Sequence, residues 1–254
     1  FYHNSDIWSI NIESEEEDEA VAQKLGLHVN SDQHEPSIFF SYDGKKLFIV
    51  SDRPGGYGGL DIYLSERIGE DEWSEPRNLG PDVNTDQDED APYLDPDGKT
   101  LYFSSQGHSS MGGYDIFRTK AINDTTWTSP ANIGFPVNTP ADDIYFTMTE
   151  RYNRGYYASS DLNGIGDMDL YRITFADERD PVAELLGLVK KGDRFIPAKS
   201  KITLTTLTGD EVISDQTDTL KGDYFLLLGH GKKYKMLVET DEFVPYEHIF
   251  EVPE

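Results

Sequence analysis

The chain contains no cysteine, which removes disulfides, thiol nucleophiles and Cys-ligated zinc from consideration. It has no apolar run approaching the roughly 20 residues that span a bilayer. No signal-peptide pattern is visible at Phe1, and the chain opens inside a strand-like segment, Asp6-Ile7-Trp8-Ser9-Ile10. The expectation is therefore a processed piece or fragment with sequence upstream. Positive charge is scarce: 22 Lys and Arg stand against 48 Asp and Glu, a net charge of −26. Such a field repels phosphate backbones and anionic head groups, which excludes nucleic-acid binding. It tolerates cationic partners or divalent ions, and it also simply keeps an exposed protein soluble.

What is present points to β structure. Aromatic residues make up 12% of the 254 residues, beside 22 Gly and 13 Pro. Aromatic side chains pack well on pleated surfaces, and Gly and Pro supply the turns between short strands.

A repeat organises the first two thirds. Asn30-Ser31-Asp32-Gln33 returns as Asn84-Thr85-Asp86-Gln87 and again as Asn138-Thr139-Pro140-Ala141, a step of 54 residues each time. Leu25-Gly26, Leu79-Gly80 and Ile133-Gly134 keep the step, as do Gly58, Gly112 and Gly166, and Ser51, Ser105 and Ser159. Asp61, Asp115 and Asp169 each open an Asp-aliphatic-aromatic strand, and Asp6-Ile7-Trp8 is an earlier copy one residue out of step. Within a copy, Asp43-Gly44 and Asp97-Gly98 sit between apolar runs and signal hairpins. The recurrent Asp is expected to accept hydrogen bonds from amides of the preceding loop.

A four-strand unit repeated at this length reads as a β-propeller blade, because one small sheet cannot bury both faces alone. Residues 34–84 and 88–138 give two complete units, 142–176 three strands, and 1–29 the last two strands of another. The expected fold is all-β: a partial β-propeller of about three full four-stranded blades plus part of another over 1–176, a linker over 177–183, and a small β-sandwich over 184–254. Because so few blades do not close a ring, one to three more are expected upstream. In the tail, strands are expected at Leu185–Val189, Ile202–Leu207, Glu211–Ser214, Tyr224–Leu228, Tyr234–Glu239 and Glu247–Val252.

Asp95-Pro96-Asp97-Gly98-Lys99-Thr100-Leu101-Tyr102-Phe103, with Gly112-Gly113-Tyr114-Asp115-Ile116, resembles the PD40 (WD40-like, TolB-type) propeller repeat. Asp43-Gly44-Lys45 and Gly58-Gly59-Leu60-Asp61-Ile62 match in the first copy; Arg151-Tyr152-Asn153-Arg154 replaces the hairpin in the third. Thr217 to Phe225 resembles a segment of carboxypeptidase regulatory-like, transthyretin-type sandwiches. This order of domains resembles Bacteroidota envelope proteins of the OmpA family, including those of the type IX secretion system. The resemblance implies a periplasmic, outer-membrane-associated lipoprotein whose partners are other envelope or secretion-system proteins. It implies no membrane insertion within this chain, and peptidoglycan contact only through a domain outside it.

Candidate chemistry is sparse. Asp161, Asn163, Asp167 and Asp169 place oxygen donors in one loop, a calcium candidate without the EF-hand's terminal Glu. The competing reading is an ordinary Gly-rich connection with Asp169 as the repeat's structural Asp. The six His residues show no metal-ligand spacing, and there is no Gly-x-Ser-x-Gly elbow. A glycosidase carboxylate pair is a base-rate guess on so acidic a surface. Glu15-Glu16-Glu17-Asp18-Glu19 reads as a solvated loop or a contact for a basic partner, and Asp218-Thr219-Leu220 resembles a Bacteroidota O-glycosylation motif. No catalytic or cofactor-binding residue is assigned; Asp61, Asp115, Asp169, Gly58, Gly112 and Gly166 are read as structural repeat residues. The expected function is a non-catalytic interaction scaffold, with a glycan-binding or accessory module of a larger secreted hydrolase as the alternative.

Overall fold

The computed structural model describes residues 5–10, 22–26, 28–69, 72–149, 154–161, 164–175, 182–192, 196–208, 212–217 and 222–253. Every regular element among them is a β-strand, and the strands pair antiparallel. The chain divides into two compact units: residues 1–149 with 154–175, and residues 176–254 with 150–153.

The first unit begins with β1 (Trp8–Ile10) and β2 (Ala22–Lys24), which pair with each other. Next come β3 (Ile38–Phe40), β4 (Lys46–Ser51), β5 (Asp61–Glu66) and β6 (Arg77–Asn78), a four-stranded meander in that order. The pattern recurs with β7 (Glu89–Leu94), β8 (Thr100–Ser105) and β9 (Asp115–Asn123), where both β10 (Thr126–Trp127) and β11 (Ala131–Asn132) pair with β9. It recurs a third time with β12 (Asp143–Met148), β13 (Arg154–Ser159) and β14 (Asp169–Thr174), in which β14 is the edge.

Local chemistry explains the hairpins. Gly44 and Gly98 have φ of 66° and 67°, a region open to glycine at no steric cost. The preceding Asp43 and Asp97 carboxylates accept from the backbone N–H of Lys45 and Lys99, at 3.0 and 2.8 Å. The third copy's hairpin, Arg151 to Asn153, lies outside the described residues.

Packing explains why β4 and β8 read as unbroken apolar runs. Successive strand residues point to opposite faces. Leu47 and Ile49 cluster with Ile7, Leu25 and Val29 of the preceding repeat, while Phe48 and Val50 cluster with Leu94, Leu101 and Phe103 of the following one. One step along, Tyr102 and Ile116 join Phe146, Met148 and Tyr157. A sheet covered on both faces has no polar side to alternate with. Each large side chain so buried contributes on the order of 1.5–3 kcal/mol.

The second unit contains β15 (Val182–Leu188), β16 (Lys190–Lys191), β17 (Ile196–Pro197), β18 (Ser200–Thr206), β19 (Val212–Gln216), β20 (Asp223–Gly229), β21 (Lys233–Thr240) and β22 (Tyr246–Glu251). The sheets are β15-β20, β16-β17 and β19-β18-β21-β22. Ile202, Leu204, Tyr234, Met236 and Val238 of the four-stranded sheet share one core with Leu226 and Leu228 of β20. All six strands expected in the tail are present, with β16 and β17 as an additional short ladder.

Candidate interaction surface

The recurrent Asp holds the glycine-rich loop before it. Asp61 Oδ2 accepts from the N–H of Tyr57 at 2.6 Å and from Asn78 Nδ2 at 3.3 Å. Asp115 Oδ2 accepts from the N–H of Met111 and from Asn132 Nδ2 at 2.9 Å. Asp169 Oδ2 accepts from the N–H groups of Ile165 and Gly166, at 2.6 and 3.1 Å. In the third copy no counterpart of Asn78 or Asn132 reaches the carboxylate among the described residues.

A buried Asn then stitches the third strand of two sheets, β5 and β9, to the loop that follows β6 and β11, respectively. Asn84 Oδ1 accepts from the N–H of Ile62 at 2.8 Å, and its Nδ2 donates to the carbonyls of Ile62 at 2.9 Å and of Asn78's side chain at 2.8 Å. Asn138 does the same with Ile116 and Asn132, at 2.9, 2.8 and 2.6 Å. Asn30 bridges the N–H and carbonyl of Ile7, at 2.7 and 3.0 Å. The backbone assists, since Leu25, Leu79 and Ile133 donate to the carbonyls of Ile7, Ile62 and Ile116. A primary amide serves here because it offers a donor and an acceptor in one plane, matching a strand's outward N–H and C=O.

The glycines mark where the next copy passes. A Cβ on Gly58 would stand 2.1 Å from the Gln87 carbonyl oxygen, and one on Gly112 would stand 2.4 Å from the Pro140 carbonyl. At Gly166 the nearest atom would be 3.8 Å away. The third copy thus keeps the glycine without the neighbour that demands it. Its forward face is correspondingly bare: Leu170 is 85% exposed, whereas Ile62 and Ile116 at the same repeat position are 0% exposed.

Several carboxylates are buried where the copies join. Glu35, Glu89 and Asp143 follow the 54-residue step and accept from the hydroxyls of Ser31, Thr85 and Thr139, respectively. Glu89 also accepts from Ser105 Oγ at 2.7 Å. Burial pushes the Glu89 carboxyl up, against the pull of its Thr85 and Ser105 hydrogen bonds. Burial likewise raises Asp61, Asp115 and Asp90. Asp61 Oδ1, Asp115 Oδ1 and Asp143 Oδ1 are buried without a hydrogen-bond partner among the described residues.

Sequence reasoning missed the two bulges in the first strands. Ala91 and Tyr145 have φ of 50° and 61° and sit at register shifts in β7 and β12. Bulges re-aim side chains, and here Tyr145 turns outward while the Asp90 carboxylate accepts from Ser37 Oγ of the preceding sheet. The 54-residue spacing of Ala91 and Tyr145 was available, but nothing in either residue type signals a positive φ.

Of the calcium candidates, Asn163 lies outside the described residues. Asp161 and Asp169 flank the loop, with the Asp161 carbonyl accepting from the N–H of Gly164 at 2.9 Å. Asp167 is exposed. Among the described residues no group of three or more His, Asp or Glu side chains stands close enough to hold a metal ion, and no helix is long and apolar enough to cross a membrane. The Glu15–Glu19 run and Asp218-Thr219-Leu220 lie outside the described residues. No family model and no curated protein matches the chain.

Proposed function

We propose that the chain is a non-catalytic protein-interaction scaffold, its first unit a row of PD40-type β-propeller blades and its second a small transthyretin-like β-sandwich. The observation that carries this reading is the repeated stitch: Asn30, Asn84 and Asn138 each tie a sheet to the loop leading into the next, at one constant step. Investment in rigid, side-by-side sheets yields broad surfaces rather than a chemical centre, as in other repeat architectures.

The setting follows the motif resemblance: a periplasmic, outer-membrane-associated protein of the type IX secretion machinery, working through envelope or secretion-system partners. Asp169, with Oδ2 already accepting two backbone N–H groups, favours the structural reading of its loop, and the scaffold needs no calcium. Addition of calcium is expected to leave the melting temperature unchanged and to release no heat in calorimetry.

A pull-down from envelope extracts, run beside a glycan array, tests the reading. Specific capture of envelope proteins with a blank array is the expected result. Specific glycan binding without a protein partner would instead favour the accessory-module alternative and overturn the scaffold.

A further inference from the structure

The third sheet shows an acceptor whose occupant is visible twice elsewhere in the same molecule. At Ile62 and Ile116, the outward N–H donates to an Asn Oδ1, and the carbonyl accepts from the same Asn and from the backbone N–H of Leu79 or Ile133. Val83 clusters with Ile62, and Val137 with Ile116. The residues that do this form one contiguous segment, Asn-Leu/Ile-Gly-x-x-Val-Asn-Thr, running from Asn78 to Thr85 and from Asn132 to Thr139; it leaves the short strand β6 or β11 and turns, the N–H groups of Val83 and Asn84 donating to the Gly80 carbonyl and those of Val137 and Asn138 to the Gly134 carbonyl.

At the equivalent Leu170, β14 is the last strand of its sheet, and no segment of this kind lies on it among the described residues. Two independent features mark the place as reserved. Leu170 is an aliphatic residue standing almost wholly in water. Gly166 is glycine although a Cβ there would meet nothing nearer than 3.8 Å, while Gly58 and Gly112 are crowded by the passing segment.

We infer that the edge of β14 binds a peptide segment of the Asn-Leu-Gly-x-x-Val-Asn-Thr type, which adds a short strand to that edge and then turns back over Leu170. Its second Asn clamps the Leu170 N–H and carbonyl, its Val covers the Leu170 side chain, and its first Asn reaches Asp169. Main-chain pairing on an open edge supplies the binding, and the two carboxamides supply the selectivity. The inference rests on the equivalence of the three sheets used in the scaffold reading, but not on the envelope setting.

The test uses the full chain and a fluorescein-labelled peptide with the sequence of residues 73–87, followed by anisotropy at near-physiological salt, which screens the chain's negative field. Saturable binding is expected. A peptide carrying Asn78→Ala and Asn84→Ala should bind about tenfold more weakly or worse, the loss expected when buried main-chain groups are left unpaired. Leu170→Asp in the chain, a solvent-facing change that should leave the melting temperature unaltered, should weaken binding comparably. No saturable binding, equal affinity for the double-Ala peptide, or indifference to Leu170→Asp would each overturn the inference. None of these outcomes bears on the pull-down that tests the scaffold reading.

Discussion

The second and third sheets of the first unit are built from the same sequence pattern and meet opposite fates. Tyr102 and Ile116 on the second are 4% and 0% exposed; Tyr156 and Leu170, 54 residues on, are 38% and 85% exposed. The backward faces do not differ in this way, since Phe103 and Tyr157 are both buried against the preceding sheet. Burial is thus a property of place in the row rather than of residue type: each sheet is finished by its successor.

Cutting the equivalent side chain on both sheets separates place in the row from residue type. Ile116→Ala should cost about 2–5 kcal/mol by leaving a cavity between sheets, whereas Leu170→Ala should cost under about 0.5 kcal/mol. Paired urea melts would read both, and a similar loss at the two positions would refute the account.

A somewhat smaller effect is expected from Asn138→Ala. It leaves the N–H and carbonyl of Ile116 without the side-chain partner that both use, for about 2–3 kcal/mol. An apolar residue of similar shape would not rescue it, because the lost partners are polar main-chain groups. Chemical denaturation of Asn138→Ala beside Asn138→Leu would check this.

Gly112→Ala should cost about 1–3 kcal/mol, as the new methyl meets the backbone of Pro140. Gly166→Ala, whose methyl would meet only ordinary contacts at 3.8 Å and beyond, should change stability by less than about 0.5 kcal/mol. A thermal melt of the pair distinguishes crowding by a following segment from a shared backbone requirement.

The smallest expected effect is on pH. Asp61, Asp115, Glu89 and Asp90 are all raised in the folded protein, by burial above all. The folded state then holds protons that the unfolded chain has already released, so stability falls as pH rises through the raised values and is fully regained below the ordinary carboxylate range of about 3.9–4.3. Relief of the −26 net charge acts in the same direction. Calorimetric scans should therefore give a higher melting temperature at mildly acidic than at neutral pH, and a fall on acidification through that window would contradict the assignment.

Much of this was legible in the sequence, for reasons that also explain what was not. The 54-residue step emerged from Gly58, Gly112, Asp61 and Asp115 because backbone crowding and loop capping admit few residue types. The strands expected to open at Asp61, Asp115 and Asp169 appear as β5, β9 and β14, which begin at those residues. β1 and β2 pair in the stretch where two strands are expected ahead of the first full unit. The function of Asn84 and Asn138 was not readable, because an Asn in a Gly-rich stretch signals only a turn until the strand it clamps is placed beside it. The buried acids Glu35, Glu89 and Asp143 were hidden for a similar reason: among 48 acidic residues, three at a constant step do not stand out. The exposure of Leu170 was invisible altogether, since its pattern is that of Ile116 and only the missing neighbour differs.

Amide hydrogen exchange at three equivalent positions reads the stitch itself. The N–H groups of Ile62 and Ile116 should exchange only through large-scale unfolding of the unit, while that of Leu170 should exchange many-fold faster in the free chain. Equal protection at all three would mean that the third sheet is already capped, and that position in the row does not govern how these sheets are completed.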